Sequence, residues 1–347
     1  MKMNRLGKTD LMISELGLGT MTFGNQTSEA DAHTQIEMAA DAGVTFMDAA
    51  EMYPTAPVRK ETIGRTEEIL GNWFAASGRR NDWVVATKHS GAGMEHTRNG
   101  APITSESVPD AVEGSLRRLK IDHIDLYQLH WPNRGSYCFR QNWTYDPSGQ
   151  DRTSTLQNMA DVLGALGREV EKGRIRHIGL SNETTWGTAK WLQVADAMAG
   201  PRMESIQNEY SLMCRMADTD LAELMVNEEV SLLPFSPLAA GLLTGKYQNG
   251  AVPEGSRMSI NAELGGRKTD RAFEAVDAYA KVADEAGLDL AVMALAWTAQ
   301  RPYVASSIFG ATTIEQLKHQ LKAVDVKLSD DVLAALDATH KQHPMPY

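Results

Sequence analysis

Read for chemistry, the 347-residue sequence offers an acid, a phenol, an amine and an imidazole: Asp48, Tyr53, Lys88 and His130. The apolar run Val44-Thr45-Phe46-Met47 stops at Asp48, and Tyr53 follows on the next loop. Trp83-Val84-Val85-Ala86-Thr87 stops at Lys88 in the same manner, and Ile124 to Leu129 stops at His130. A carboxylate at the end of a buried strand is costly unless a cation or hydrogen-bond donors receive it. Lys88 could be that cation. A phenol with its ordinary pKa of about 10 donates a proton poorly at neutral pH; a neighbouring ammonium favours the phenolate and makes a usable general acid. Asp48 would then hold Lys88 charged and in place. A neutral histidine can donate a hydrogen bond to a carbonyl oxygen and stabilise negative charge developing there. Taken together, these groups could deliver a proton to a carbonyl oxygen, and they lack a hydride.

Each residue also has a plainer explanation. An acid ending a strand is most often a helix cap, a lysine there an exposed terminus, and His130 before Trp131-Pro132 a packed loop residue. An Asp48–Lys88 pair could be purely structural. What brings the four together is the rhythm of the chain. Residues 2–16 read as a hairpin about Gly7-Lys8-Thr9-Asp10. Strands are then expected at 16–20, 44–48, 83–87, 124–129, 176–180, 204–207, 230–234 and 304–309. Helices are expected at 29–42 (capped by Ser28), 61–76, 106–119, 156–172, 185–198, 218–228, 270–286, 289–300, 314–323 and 329–340. Strands apolar throughout belong to a sheet covered on both faces. Eight βα units point to an α/β fold, a closed (β/α)8 TIM barrel with an N-terminal β-hairpin. Such a barrel sets strands 2, 3 and 4 side by side, with their C-terminal ends at one mouth. Long connections at 89–104, 131–155 and 237–269 would build that mouth. No linker or composition shift divides the chain, so residues 1–347 are expected to form one domain.

The composition, 42% hydrophobic and 23% charged, is that of an ordinary globule. A net charge of -11 argues against a nucleic-acid partner. Cys138 and Cys214 cannot form a disulfide framework or a zinc site alone, and no metal is expected. No signal-peptide core and no stretch of about 18 apolar residues is present, so the expectation is a cytoplasmic protein without a membrane partner. No G-x-G-x-x-G opens an early βα unit, which weighs against a Rossmann domain.

In order and spacing the four residues, with Phe46-Met47-Asp48-Ala49-Ala50-Glu51-Met52-Tyr53, Ala86-Thr87-Lys88 and Leu129-His130-Trp131-Pro132, resemble the catalytic tetrad of the aldo-keto reductases. Leu16-Gly17-Leu18-Gly19-Thr20-Met21 and Leu242-Leu243-Thr244-Gly245-Lys246-Tyr247 also look like this family, in particular its bacterial Tas-like branch. The resemblance implies an NADP(H)-dependent reduction of an aldehyde or ketone, with Tyr53 as proton donor. It also implies a cofactor site built from Gly19, Thr20, Met21 and Asp48, with Ser181, Asn182 and Gln207 on the carboxamide and Phe235 stacked on the nicotinamide. Ser236, Pro237, Leu238, Ala239, Gly241 and Lys246 would follow the diphosphate, Arg257 with Lys246 would meet the 2′-phosphate, and Gly310, Thr312, Gln316 and Gln320 would hold the adenine end. Met21, Tyr53, His130 and Trp131 would line the substrate pocket, with Tyr137, Phe139, Trp143 and Tyr145 as a possible apolar wall. Two alternatives stay open: an NADP-binding regulatory or scaffold protein of the potassium-channel β-subunit type, and a barrel isomerase or lyase with a Lys88 Schiff base. The oligomeric state is not legible.

Overall fold

The computed structural model describes residues 1–55 and 57–347. Strands β1 (Met3–Arg5) and β2 (Met12–Ser14) form the antiparallel hairpin, with Met3 opposite Ser14. Gly7 in its turn has φ +54°, and a Cβ there would meet the Glu204 backbone oxygen at 2.5 Å. Only glycine fits on both counts. Eight parallel strands follow: β3 (Leu16–Gly19), β4 (Phe46–Asp48), β5 (Val84–His89), β6 (Ile124–Leu129), β7 (Ile175–Ser181), β8 (Met203–Gln207), β9 (Ser231–Leu232) and β10 (Ser307–Phe309). Neighbours in sequence are neighbours in the sheet from β3 to β9, and β10 pairs with β3. Leu232 N to Tyr303 O at 2.9 Å and Ile308 N to Pro234 O at 2.9 Å join the last two strands. The sheet therefore closes on itself as a barrel. Pro234 has no N–H to give the ladder, which helps explain why β9 is shorter than the expected 230–234.

The helices outside the barrel are α1 (Glu29–Asp41), α2 (Arg65–Ser77), α3 (Ser107–Leu119), α4 (Arg152–Glu171), α5 (Thr185–Met198), α6 (Asp220–Glu228), α7 (Arg257–Ile260), α8 (Asp270–Glu285), α9 (Leu290–Ala299), α10 (Ile314–Gln320) and α11 (Asp330–Gln342). Ser28 caps α1 by accepting from Asp31 N, as expected. Helix α4 begins before the expected 156, because Asp151 accepts from Thr153 N and Ser154 N and starts the helix ahead of its first apolar residue. The single helix expected at 61–76 is instead a 3-10 turn, Lys60–Thr62, followed by α2, and Gly64 at φ +82° separates the two. The stretch 314–323 likewise changes at Leu321 from α10 to a 3-10 turn.

The barrel interior explains why polar residues sit where they do. Successive inward positions are two residues apart along each strand. Phe46, Ala86 and Leu126 form an apolar floor with Leu6, Leu11 and Ile13 of the hairpin. One inward step towards the C-terminal ends come Asp48, Lys88 and Gln128, all buried. The same step reaches the mouth, where the loops after the strands meet.

Candidate active site

Lys88 has no exposed surface, and its Nζ donates to Asp48 Oδ2 at 2.6 Å, to Ala49 O at 2.7 Å and to Tyr53 Oη at 3.5 Å. The other Asp48 oxygen, Oδ1, accepts from Gln207 Nε2 at 2.8 Å and Gln128 Nε2 at 3.2 Å. The carboxylate is thus fully engaged, and the ammonium's three donors all have acceptors. Burial works against the lysine's charge, but Asp48 outweighs it and holds the ammonium above its ordinary value. An amine so protonated and enclosed is a poor nucleophile, which removes the physical basis for a Schiff base on Lys88.

Tyr53 is half-buried, with the Lys88 ammonium 4.9 Å from its ring centroid and the His130 ring edge-on at 5.8 Å and 76°. Its phenol is pushed above the ordinary value, first by burial; Lys88 opposes that and Asp48 reinforces it. The sequence expectation that the ammonium would dominate is therefore corrected: desolvation outweighs it, and Tyr53 remains a protonated phenol. His130 is pushed well below the usual histidine range by burial and then by the Lys88 charge, so its imidazole is neutral. Its backbone oxygen accepts from Asn182 Nδ2 at 3.0 Å.

These side chains open onto a cleft of about 820 Å³ at the C-terminal face of the barrel. Among the described residues it is lined by Gly19, Thr20, Met21, Asp48, Tyr53, His130, Trp131, Ser181, Asn182 and Gln207. Further along lie Phe235, Ser236, Pro237, Leu238, Gly241, Lys246, Arg257, Gly310, Thr312, Gln316 and Gln320. Lys88 lies behind this surface. One expected residue is not brought to the cleft: Ala239 is fully buried in the core, and Ala240 takes its place on the lining. The reason is a run of positive φ values at Ser236, Ala239, Ala240 and Gly241, which turns the loop more tightly than its sequence shows. The expected aromatic wall is reduced to Phe139 beside Trp131. Trp143 is 63% exposed, and Tyr137 packs on Tyr145 away from the cleft. Gln316 accepts from Thr312 through Oε1, so these two residues face each other across the start of α10.

The lining fits an amide-bearing, anionic cofactor. Asn182 Oδ1 and Gln320 Oε1 are buried acceptors without a protein partner. Between them, Lys246 and Arg257 carry positive charge that no carboxylate neutralises at salt-bridge distance among the described residues. Sequence reasoning missed Gln128, an amide in step with the inward positions of β6. It also missed Arg140 and Arg267, which lie on long loops without periodicity. No helix among the described residues is long and apolar enough to cross a membrane.

A family model described as the aldo/keto reductase family matches residues 15–341. Protein tas of Escherichia coli (strain K12) is 41% identical, over 100% of this chain and 99% of its own length. A probable voltage-gated potassium channel subunit beta of Arabidopsis thaliana is 32% identical over 94% of this chain and 92% of its own. The uncharacterized oxidoreductase YrpG of Bacillus subtilis (strain 168) is 30% identical over 97% and 95%.

Proposed function

The chain belongs to the aldo/keto reductase family, and from that premise we propose that it reduces aldehydes or ketones to alcohols with NADPH, residues 1–347 acting as one barrel domain. The observation that carries the reading is the placement of Tyr53 between His130 and the Lys88–Asp48 pair at the floor of the cleft. When bound, the dihydronicotinamide supplies the hydride that the carbonyl carbon accepts. His130 donates an N–H to the carbonyl oxygen and orients it. Tyr53 gives that oxygen its proton as negative charge grows there. The phenolate left on Tyr53 faces the Lys88 ammonium, whose attraction for it is stronger than in water because the site is buried. Asp48 keeps the ammonium charged and aimed, and Gln128 and Gln207 keep Asp48 from rotating.

Ser181, Asn182 and Gln207 would hold the carboxamide, although Gln207 has its Nε2 committed to Asp48 and offers its Oε1. Phe235 would present an apolar face to the nicotinamide, the Ser236–Gly241 turn and Lys246 would follow the diphosphate, and Arg257 favours the 2′-phosphate of NADPH. Gly310, Thr312, Gln316 and Gln320 would hold the adenine end. We place the enzyme in the cytoplasm, where its two free cysteines would stay reduced.

The test is NADPH oxidation against a panel of aldehydes and ketones, with NADH in parallel. Tyr53→Phe is expected to keep NADPH binding and lose about 10²–10⁴-fold in turnover, the scale of general acid catalysis. Unchanged turnover in that variant would refute the role of Tyr53. A regulatory protein of the channel-subunit type would show tight NADPH binding and negligible turnover across the whole panel.

A further inference from the structure

Two arginines that the reaction above does not use line the same cleft, one from each of its two longest loops: Arg140 and Arg267. Both are held by Glu209, just beyond β8. Its Oε2 accepts from Arg140 Nη1 at 2.7 Å and its Oε1 from Arg267 Nε at 2.7 Å. Tyr347 Oη donates to the same Oε1 at 3.1 Å, and Arg267 Nη1 donates to Leu264 O at 2.9 Å. Burial disfavours the Glu209 charge, but the two guanidiniums outweigh it and hold the carboxyl below its ordinary value.

One carboxylate against two guanidiniums leaves a net positive charge in a largely buried place; Arg267 is only 6% exposed. Uncompensated buried charge is expensive. The donors are not used up either: no Nη2 bond from Arg140 or Arg267 is present among the described residues, and Arg140 Nε is buried without a partner. The two forks are neighbours: a Cβ at Gly265 would lie 3.5 Å from Arg140 Nη2 and 3.5 Å from Arg267 Nη1. Phe139 and Arg140 are both held at positive φ, 59° and 64°, which side chains rarely adopt. Strain of this kind persists where surrounding structure imposes it, and it clusters at binding sites.

Position then indicates the ligand. The His130 and Trp131 ring centroids are 4.7 Å apart, and those of Trp131 and Phe139 are 6.1 Å apart. An apolar wall therefore runs from the histidine beside Tyr53 to the residue that precedes Arg140. A molecule lying along it would have its carbonyl at His130, an apolar middle against the rings, and its far end at the arginine pair. Resting on the reductase reading, we propose that Arg140 and Arg267, set side by side by Glu209, select carbonyl substrates that carry a carboxylate at the end remote from the carbonyl. Guanidinium forks match a carboxylate in both geometry and charge, and Arg257, on the same cleft and near enough to feel both guanidiniums, adds to the positive field.

The test compares 4-carboxybenzaldehyde with 4-methylbenzaldehyde, which share ring and aldehyde and differ in the remote group. The expected kcat/KM ratio favours the carboxylated aldehyde by about ten-fold or more, the scale of one charge-assisted hydrogen bond. Arg140→Met should bring that ratio towards one by raising KM for the carboxylated aldehyde; Glu209 keeps Arg267 in this variant. Arg140→Lys, which keeps charge but loses the fork, should restore part of the preference. Equal efficiencies in the unaltered enzyme overturn the carboxylate preference and leave reduction standing. No turnover of either aldehyde strikes at the reductase reading itself and takes the preference with it. The competing anion is a cofactor phosphate. An NADPH Kd raised about ten-fold in Arg140→Met, with the aldehyde ratio unmoved, would assign the pair to the cofactor and overturn the proposal.

Discussion

Lys88 lies 2.6 Å from Asp48 and 3.5 Å from the Tyr53 hydroxyl, and the balance between its charge and burial sets the pH range of the reaction. Burial wins at Tyr53, so the phenol stays protonated beyond its ordinary value, which is the state a proton donor needs. Burial first, and then the Lys88 charge, keep His130 neutral well below the usual histidine range. Reduction needs Tyr53 protonated, so activity is lost as pH rises through the tyrosine's value. It also needs His130 neutral, so activity is lost as pH falls through the histidine's value. The kcat/KM profile for reduction, which reports the free enzyme, is therefore expected to be level from about pH 6.5 to about pH 10 and to fall only outside that window. Initial rates across the range check this. An alkaline limb centred near about pH 8 would mean that the ammonium, not burial, governs Tyr53.

The loop carrying Tyr53 is tied to the loop after β5 by Glu51, which is 4% exposed. Its carboxylate takes Arg98 Nη2 at 2.6 Å, Arg98 Nη1 at 2.7 Å and Ser90 N at 2.6 Å, and its own N–H reaches Lys88 O at 3.3 Å. Burial opposes the Glu51 charge, but Arg98 and His89 prevail and keep it ionised. Arg98→Met would leave a buried carboxylate with little to receive it, at a cost of about 3–5 kcal/mol. The expected outcome is a lowered denaturant midpoint together with a reduced kcat, because Tyr53 loses part of its support; an unchanged midpoint would show that Arg98 is not the clamp. This clamp also marks the limit of what could be read in advance. Asp48, Lys88 and His130 were legible because each ends an apolar run, which is a local signal. Glu51 and Arg98 are far apart in the chain, on loops without periodicity, so nothing local pairs them. Gln128 was hidden because β6 shows no clean alternation, with Asp125 on its outer face breaking the pattern, and its inward phase shows only once the barrel is closed. The exchange of Ala239 for Ala240 was set by backbone dihedrals that neither alanine announces.

The barrel has two ends with different duties, and the inward side chains show where one gives way to the other. Below the Asp48–Lys88–Gln128 layer the interior is mostly apolar, broken by the buried hydroxyls of Ser205 and Ser306, and the hairpin plugs it with Leu6, Leu11 and Ile13 against Phe46, Ala86 and Leu126. The plug is fastened to the barrel by Asn4 Nδ2 to Ala305 O at 2.9 Å, Gly7 N to Ser231 Oγ at 2.8 Å and Lys8 N to Glu204 Oε2 at 2.8 Å. The cleft residues lie at or beyond the opposite, C-terminal end of the strands. Conservative damage to the plug should therefore cost stability and spare chemistry. Leu6 is fully buried, and Leu6→Ala removes its contacts and leaves a cavity that a close-packed floor cannot fully collapse, at about 2–5 kcal/mol. Calorimetry should show a lowered Tm, while kcat/KM at 25 °C stays within about two-fold, since uniform loss of stability does not alter a site that remains folded. A fall in kcat without a fall in Tm would mean that the floor transmits its packing to the Lys88 layer. That layer lies one inward step above Phe46, Ala86 and Leu126, and Lys88 fits there without exposed surface only because the residues below it fill their own level.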